Sequence, residues 1–464
     1  MSKLTYIDLF AGAGGLSEGF IREGFHPVAH VEMSKEACDT LKTRLAYHYL
    51  SQHKKVKTYF SYLQNEISRE VLWKIIPDGI IDSVINDEIS AKTIGNIFKQ
   101  IDEELDSKKV DLIIGGPPCQ AYSLVGRSRD PNRMEGDKRN FLFRYYAQFL
   151  IRYKPKYFVF ENVLGLLTAG NKKYLNEMMQ LFESIGYSVA EPTVLNAEEY
   201  GVLQKRRRVI IIGQRGKKKF DFPELETVVN KWETKKDLFF DLPKLKPGEE
   251  LHIANYTKPI NEYLKRTGTR NGVDFVTQHI TRRHNERDLE IYCIAIDKWL
   301  NGKQRLKYDE LPYRLQTHKN VLAFLDRYKV VDPTGHSHTV VAHIAKDGHY
   351  YIYPDKKQVR SISVREAARI QSFPDDYFLK VEEQQLLKQI GNAVPPLMAF
   401  AIAQTNEKII MSKEIIKSNK DKETPVRFKP RARLLLQLGR PAYKNQSTAL
   451  VELVKNFTML MLML

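Results

Sequence analysis

The stretch that most constrains how this chain folds runs from Val110 to Ser123, VDLIIGGPPCQAYS. Val110 to Ile114 is a short apolar run that reads as a buried strand, and it stops at Gly-Gly-Pro-Pro in front of a single cysteine, Cys119. The prolines fix φ and carry no N–H, so the backbone leaves the strand as a stiff extended segment that holds the next side chain forward. A lone cysteine is more often a small buried hydrophobe. Behind glycines and prolines at a strand end it is better placed for chemistry, because strand carboxyl ends in an open α/β sheet face the ligand crevice.

Other segments point to the same edge. Leu4 to Phe20 reads strand, glycine-rich turn, helix, and glycines 12, 14 and 15 let the backbone come close to a ligand at the helix N-terminus. The next strand, HPVAHVE, ends in Glu32, close to the spacing at which a carboxylate meets ribose hydroxyls in dinucleotide folds. KYFVFENV is apolar until Glu161 and Asn162, which brings a carboxylate to the edge that holds Cys119. A helix (YLNEMMQLFESIG) and a strand (YSVAEPTVL) precede QKRRRVIIIG, where period two predicts Arg206 and Arg208 on one strand face.

With 464 residues there is room for two compact domains. The 73 Lys and Arg outweigh 56 Asp and Glu for a net charge of +17, which suits a polyanionic partner such as nucleic acid. Three cysteines without a C-x-x-C pair argue against a disulfide framework or thiolate zinc site and fit a reducing cytoplasm; Cys38 and Cys293, in helix-like stretches, read as core. MSKLTYIDLF enters a strand with no signal-peptide core, and no apolar run reaches the roughly 20 residues that span a bilayer.

Leu45 to Asp106 reads as helical, polar and mostly solvated surface. The basic segment after Cys119, SLVGRSRDPNRMEGDKRNFLF, reads as a lid, with Gly126 and Gly136 as hinges and Arg127, Arg129 and Arg133 for phosphates. From Gln214 to Arg360 the strand-helix alternation stops, and aromatic and basic residues suggest a second domain that meets DNA. Within it TRRHNERDLEIYCIAIDKWL reads as a helix and VVAHIAKDGHYYIYP as a hairpin around Asp347-Gly348. Histidines 336, 338, 343 and 349 match no standard zinc spacing, so no metal is assigned.

GGPPCQAYS resembles the catalytic motif of the DNA (cytosine-5) methyltransferases, and DLFAGAGG is similar to the family's first motif, which cradles S-adenosylmethionine. QKRRR resembles its QxRxR motif, although Leu203 stands where relatives commonly carry proline, and SISVREAARIQSFPDDY and QIGNAVPPLMAFAIA resemble its last two motifs. The resemblance spans about residues 4 to 408. It implies an α/β fold: a doubly wound, mixed, mostly parallel sheet of the S-adenosylmethionine-dependent methyltransferase type, with a smaller irregular target-recognition domain. Residues 1–213 would be the catalytic and cofactor-binding domain, 214–384 the recognition domain and 385–408 a helix returning to the first.

By the same resemblance Phe10 packs on the adenine, the turn Gly12, Ala13, Gly14, Gly15 and Leu16 holds the methionine moiety, and Glu32 takes the ribose. Met33 lies beside the adenine, Asp87 accepts from its amino group, and Pro117, Asn392 and Val394 complete the pocket. Cys119 adds to carbon 6 of cytosine, Glu161, next to Asn162, meets N3, and Arg208 holds O2, with Arg206 supporting the site or a phosphate. A free thiol titrates near ~8.5, so nearby arginines and the cofactor's sulfonium are expected to favour the thiolate. The target base must be flipped out of the duplex. The implied setting is a bacterial restriction-modification system: a cytoplasmic, nucleoid-associated monomer on double-stranded DNA, with a cognate restriction endonuclease as a possible partner. The alternatives are a tRNA cytosine-5 methyltransferase, disfavoured by the long recognition block, and a catalytically silent DNA-binding regulator.

The tail from 409 to 464 reads as a basic linker followed by LLLQLGRPAYKNQSTALVELVKN, which resembles the start of the ATPase domain of gyrase, heat-shock chaperones and histidine kinases, with Glu452 and Asn456 as its Glu and Asn. Phe457 to Leu462 then departs from that pattern as a one-base deletion would make it, so the tail is either a truncated stub without ATPase activity or a disordered basic tail.

Overall fold

The computed structural model describes residues 3–105, 109–118, 141–229, 231–317, 320, 325–379 and 383–422, with 383 and 411–422 by backbone alone. Cys119, the lid segment and the tail beyond 422 lie outside the described residues. The chain divides into two compact units, Met1–Lys408 and Ile409–Leu464.

The first unit is built on one sheet. Strands β1 (Thr5–Leu9), β2 (His26–Glu32), β3 (Val84–Asn86), β4 (Leu112–Gly115) and β5 (Tyr157–Asn162) run parallel in the order β3-β2-β1-β4-β5. Strands β6 (Tyr187–Val189), β7 (Thr193–Asn196) and the long β9 (Arg207–Arg215) follow, with β9 antiparallel to β5, β6 and β7; between β7 and β9 lies the two-residue β8 (Gln204–Lys205). This is the mixed, mostly parallel sheet that the resemblance implies. Strand order reverses between β1 and β4, so the loops that leave their carboxyl ends diverge around a crevice.

The strands are apolar because helices cover both faces. Ile7, Leu9, Ile113, Phe158, Phe160, Val209 and Ile211 share one buried cluster with Phe143, Tyr146 and Phe182 from helices α7 (Leu142–Tyr153) and α8 (Lys173–Ser184). On the other face helix α1 (Gly15–Glu23) meets the last helix, α13 (Pro396–Lys422), so closely that a Cβ on Gly19 would sit 2.4 Å from the Ala399 backbone. Only glycine permits that approach.

Four sequence expectations need correction. The stretch from Leu45 is not mere solvated surface: helices α2 (Lys35–Gln52), α3 (Val56–Leu63), α4 (Arg69–Lys74) and α5 (Asp78–Asp82) enclose a core of Leu50, Tyr59, Tyr62, Leu72 and Ile81 that extends to Val273 and Phe275. Cys38 is buried as expected, but Cys293 is exposed. The buried stripe of helix α10 (Glu286–Gly302) is Ile291, Tyr292, Ala295 and Ile296, and Cys293 falls outside it.

The predicted hairpin at Asp347-Gly348 does not form; a 3-10 turn, Ala342–Ala345, takes its place, and Ile352 bridges Val330 and Ser361 instead. Side chains claim the backbone groups a hairpin would pair: from outside the segment Gln204 accepts from the Val340 N–H and Arg206 donates to its carbonyl, and within it the Tyr351 hydroxyl accepts from the Val341 N–H and donates to the Thr339 carbonyl. Gln384–Ile410 is long and apolar enough to cross a membrane, contrary to expectation, yet 78% of its apolar window is buried within the protein. That is the signature of a core helix.

The 214–384 segment is tied together by buried charge. Arg369, in helix α11 (Val364–Ile370), pairs with Asp241 at 2.6 Å and Asp375 at 2.6 Å, and Arg360 grips Glu366 with two bonds of 2.7 and 2.8 Å. His279, in strand β11 (Phe275–Ile280), uses both ring nitrogens, toward Ser363 Oγ and the Pro243 carbonyl at 2.8 Å each. Burial lowers its pKa to about 4. The unfolded imidazole titrates near 6.5, so the stability its neutral ring supplies is complete above that pH and is lost as pH falls toward the folded value.

The variant His279→Asn has no such titration. Urea unfolding of both proteins at pH 7 and pH 5 is expected to show the wild type's advantage narrowing by about 2 kcal/mol at the lower pH.

Candidate functional site

The crevice is bordered on one side by the turn after β1. Phe10, Gly12 and Gly14 have φ of 58°, 55° and 78°, so the chain reverses through left-handed conformations that glycine adopts without strain. The Gly12 N–H donates to Glu32 Oε2 at 2.9 Å and the Ser34 N–H to Oε1 at 2.8 Å, which fixes the carboxylate at the end of β2. The Asp87 N–H donates to the Glu32 carbonyl at 3.1 Å, and Asn86 Nδ2 donates to the same carbonyl and to that of Met33. Glu32, Met33 and Asp87 therefore meet where β2 and β3 end. Met33 is 63% exposed.

The far end of the chain closes on this turn. A Cβ on Gly15 would lie 2.3 Å from the Val394 carbonyl oxygen, while Leu16 and Val394 are buried. Asn392 is exposed at the end of helix α12 (Glu383–Asn392).

These residues fit an adenosine-bearing sulfonium. Each Glu32 oxygen has one backbone donor and keeps a lone pair for a ribose hydroxyl, and nothing lies within 4 Å of where a Cβ on Gly12 would point. Asp8, a position the sequence does not single out, is 1% exposed, and its Oδ2 has no partner among the described residues. Burial, then the charge of Glu32, raises its pKa well above the usual carboxylate range. The signal was a carboxylate inside an otherwise apolar strand leading into the turn.

The other side of the crevice begins where β4 ends. A Cβ on Gly116 would meet Glu161 Oε2 at 2.5 Å, so the missing side chain lets the Glu161 carboxyl lie against the backbone three residues before Cys119. Asn162, buried, reaches the Pro117 carbonyl at 3.5 Å. Glu161 Oε1 accepts from Arg208 Nε at 2.8 Å across the β5–β9 pairing, each side chain 12% exposed. The structure thus brings Glu161, Asn162, Arg208 and the Gly116-Pro117 backbone to one edge. Beside them opens a cleft of about 600 Å³ whose walls include Gly165, Lys205, Arg207, Arg208 and His338.

Arg206 is not their companion. It lies between β8 and β9, is fully buried, and donates to three carbonyls: Val340 at 2.6 Å, Gly391 at 3.2 Å and Ala393 at 2.9 Å. The expected strand face shared with Arg208 does not form, because the chain breaks its extended run at Arg206 and turns the guanidinium inward; of the two expected roles, support of the site or a phosphate contact, its buried partners match the first. The histidines of the aromatic block also have structural partners: His336 pairs with Glu198 at 3.0 Å, His338 bonds the Tyr350 carbonyl, and His349 meets the Tyr292 hydroxyl at 2.8 Å.

Comparison with known proteins agrees with this architecture. Residues 4–71 and 83–408 match the family model of C-5 cytosine-specific DNA methylases. The chain is 42% identical to the type II methyltransferase M.Bpa9945I of Bacillus paralicheniformis, covering 88% of this chain and 99% of that one. It is 32% identical to the type II methyltransferase M1.HphI of Haemophilus parahaemolyticus, over 87% of this chain and 86% of the other. Among solved structures, a putative DNA modification methyltransferase encoded within an E. coli prophage superposes with a TM-score of 0.60 at 22% identity, covering 88% of this chain and 99% of that chain.

If Arg206 braces rather than contacts substrate, Arg206→Met strands three buried carbonyls. Chemical denaturation is expected to show a loss of about 3 kcal/mol or more.

Proposed function

The chain belongs to the C-5 cytosine-specific DNA methylases, and from that premise we propose that it methylates carbon 5 of cytosine in a specific duplex DNA sequence as the modification enzyme of a restriction-modification system. The observation that carries this reading is the Glu161–Arg208 pair, 2.8 Å apart, set against the backbone that runs into Gly-Gly-Pro-Pro-Cys.

Carbon 5 of cytosine is a poor nucleophile until the ring is activated covalently. The Cys119 thiolate adds to carbon 6, and electrons move toward N3. Glu161 faces N3 and manages the proton there as charge builds. Arg208 turns its guanidinium to O2 and, by pairing with Glu161, sets the spacing between the two contacts. S-adenosylmethionine, when bound, supplies the electrophilic methyl group that the activated carbon 5 takes. Loss of the carbon 5 proton and expulsion of the thiolate then restore the aromatic ring.

Gly12 to Leu16 cradle the methionine moiety, Glu32 holds the ribose, and Phe10, Met33 and Asp87 surround the adenine; Pro117, Asn392 and Val394 close the pocket. Because the target atom is hidden inside a duplex, the base is flipped out, at a cost of a few kcal/mol offset by contacts in the cleft. Lys205 and Arg207 at its mouth suit the flanking phosphates. Residues 214–384 form the recognition domain, and the net charge of +17 favours DNA generally. The enzyme acts as a monomer on DNA, with a cognate restriction endonuclease as a possible companion.

Incubation with methyl-labelled S-adenosylmethionine and either duplex DNA or tRNA is expected to label only the DNA; label in tRNA alone would reverse the assignment. Cys119→Ser is expected to abolish transfer while leaving duplex binding within twofold, and unchanged turnover would mean another nucleophile.

A further inference from the structure

Hydrogen bonds from backbone N–H groups fix the entry to the cofactor turn: the Gly14 N–H donates to the Ala11 carbonyl at 2.9 Å and the Gly12 N–H to Glu32 Oε2 at 2.9 Å. Gly12 and Gly14, at φ 55° and 78°, flank Ala13, and with no side chain at either position the Ala13 carbonyl is set by a contact from outside the turn. The Tyr377 hydroxyl donates to the Ala13 carbonyl, and a Cβ on Gly14 would lie 2.9 Å from the same oxygen. Tyr377 is 1% exposed and belongs to the Asp375–Leu379 segment that follows helix α11.

That segment is anchored to the recognition domain. Asp376 Oδ2 accepts from Asn271 at 2.6 Å, the Leu379 N–H donates to Gln278 Oε1 at 3.1 Å, and Arg365 reaches the Tyr377 carbonyl at 3.3 Å. It is also clamped to the catalytic side. Arg44 Nη1 donates to Asp376 Oδ1 at 2.9 Å, and the same guanidinium gives two bonds, of 2.8 and 2.5 Å, to Glu18 on the first turn of α1. The Arg44 guanidinium sits 4.0 Å from the centre of the Tyr47 ring and 4.7 Å from that of Tyr377. Buried pairs of this kind cost much to break from one side.

We propose that Tyr377 is a positioning residue for the cofactor: carried on a strut from the recognition domain, it fixes the Ala13 carbonyl and so sets the geometry in which the turn takes S-adenosylmethionine. The assignment rests on the reading that this turn binds that cofactor. Tyr377 touches no reacting atom, so its effect falls on cofactor affinity and not on the chemical step.

The test uses the full-length enzyme and two variants. Tyr377→Phe removes only the hydroxyl that holds Ala13. Tyr59→Phe removes an equally buried hydroxyl that does not touch the turn but donates to the Asp376 carbonyl at 2.9 Å. Equilibrium dialysis and steady-state kinetics are expected to show the Kd and KM for S-adenosylmethionine rising about tenfold in Tyr377→Phe, with kcat at saturating cofactor and cofactor-free duplex affinity within twofold. Tyr59→Phe is expected to keep wild-type cofactor affinity within twofold. Unchanged cofactor affinity in Tyr377→Phe, or an equal loss in both variants, would overturn the proposal. A wild-type enzyme that bound no S-adenosylmethionine would instead remove the cofactor assignment beneath it.

Discussion

The crevice exists because β4 closes on β1 without a side chain between them at the top. A Cβ on Gly115 would sit 2.4 Å from the Leu9 carbonyl oxygen, and one on Gly116 would collide with Glu161. These two glycines let the end of β4 lie between β1, which leads to the cofactor turn, and β5, which ends in Glu161 and Asn162. The parallel sheet supplies the rest: strand order reverses at this point, and every loop that matters leaves from the same edge.

Holding that edge together takes contacts from distant parts of the chain. Arg206 sends its guanidinium to carbonyls of residues 340, 391 and 393, joining the sheet to the last two helices. Arg44 joins Glu18 to Asp376. Burial opposes the ionisation of Glu18, but Arg44 and then His48 overcome it and hold the carboxyl well below its usual range. These buried cations are structural members, whereas Arg208, partly exposed and paired with Glu161, lines the cleft together with Arg207.

Most of the sheet was legible because β1, β2, β4, β5 and β9 carry apolar runs closed by a polar or glycine-rich end, whereas the three-residue β3 was hidden in a stretch read as helical. Strand ends placed Glu161 at the edge, but that Arg208 joins it came from the resemblance alone, since nothing in the strand pattern pairs β9 with β5. What escaped was whatever depended on long-range partners. Period two gave no sign that Arg206 turns inward, because its acceptors lie more than a hundred residues away. The strut of Tyr377 was hidden in SISVREAARIQSFPDDY, whose resemblance to a family motif does not say what the Tyr377 hydroxyl meets, and Cys293 looked like core because a helix stripe of Ile291, Tyr292, Ala295 and Ile296 is visible only once the helix is docked. Asp8 was passed over although a carboxylate in a buried strand is costly enough to need a reason.

The central claim is that Cys119 bonds to carbon 6 of the target base. A duplex carrying 5-fluorocytosine tests it directly, because the fluorine occupies the position from which a proton must leave after methyl transfer. With S-adenosylmethionine present, mass spectrometry under denaturing conditions should find the DNA joined to the peptide containing Cys119. No covalent complex, or one that persists in Cys119→Ser, would contradict the account.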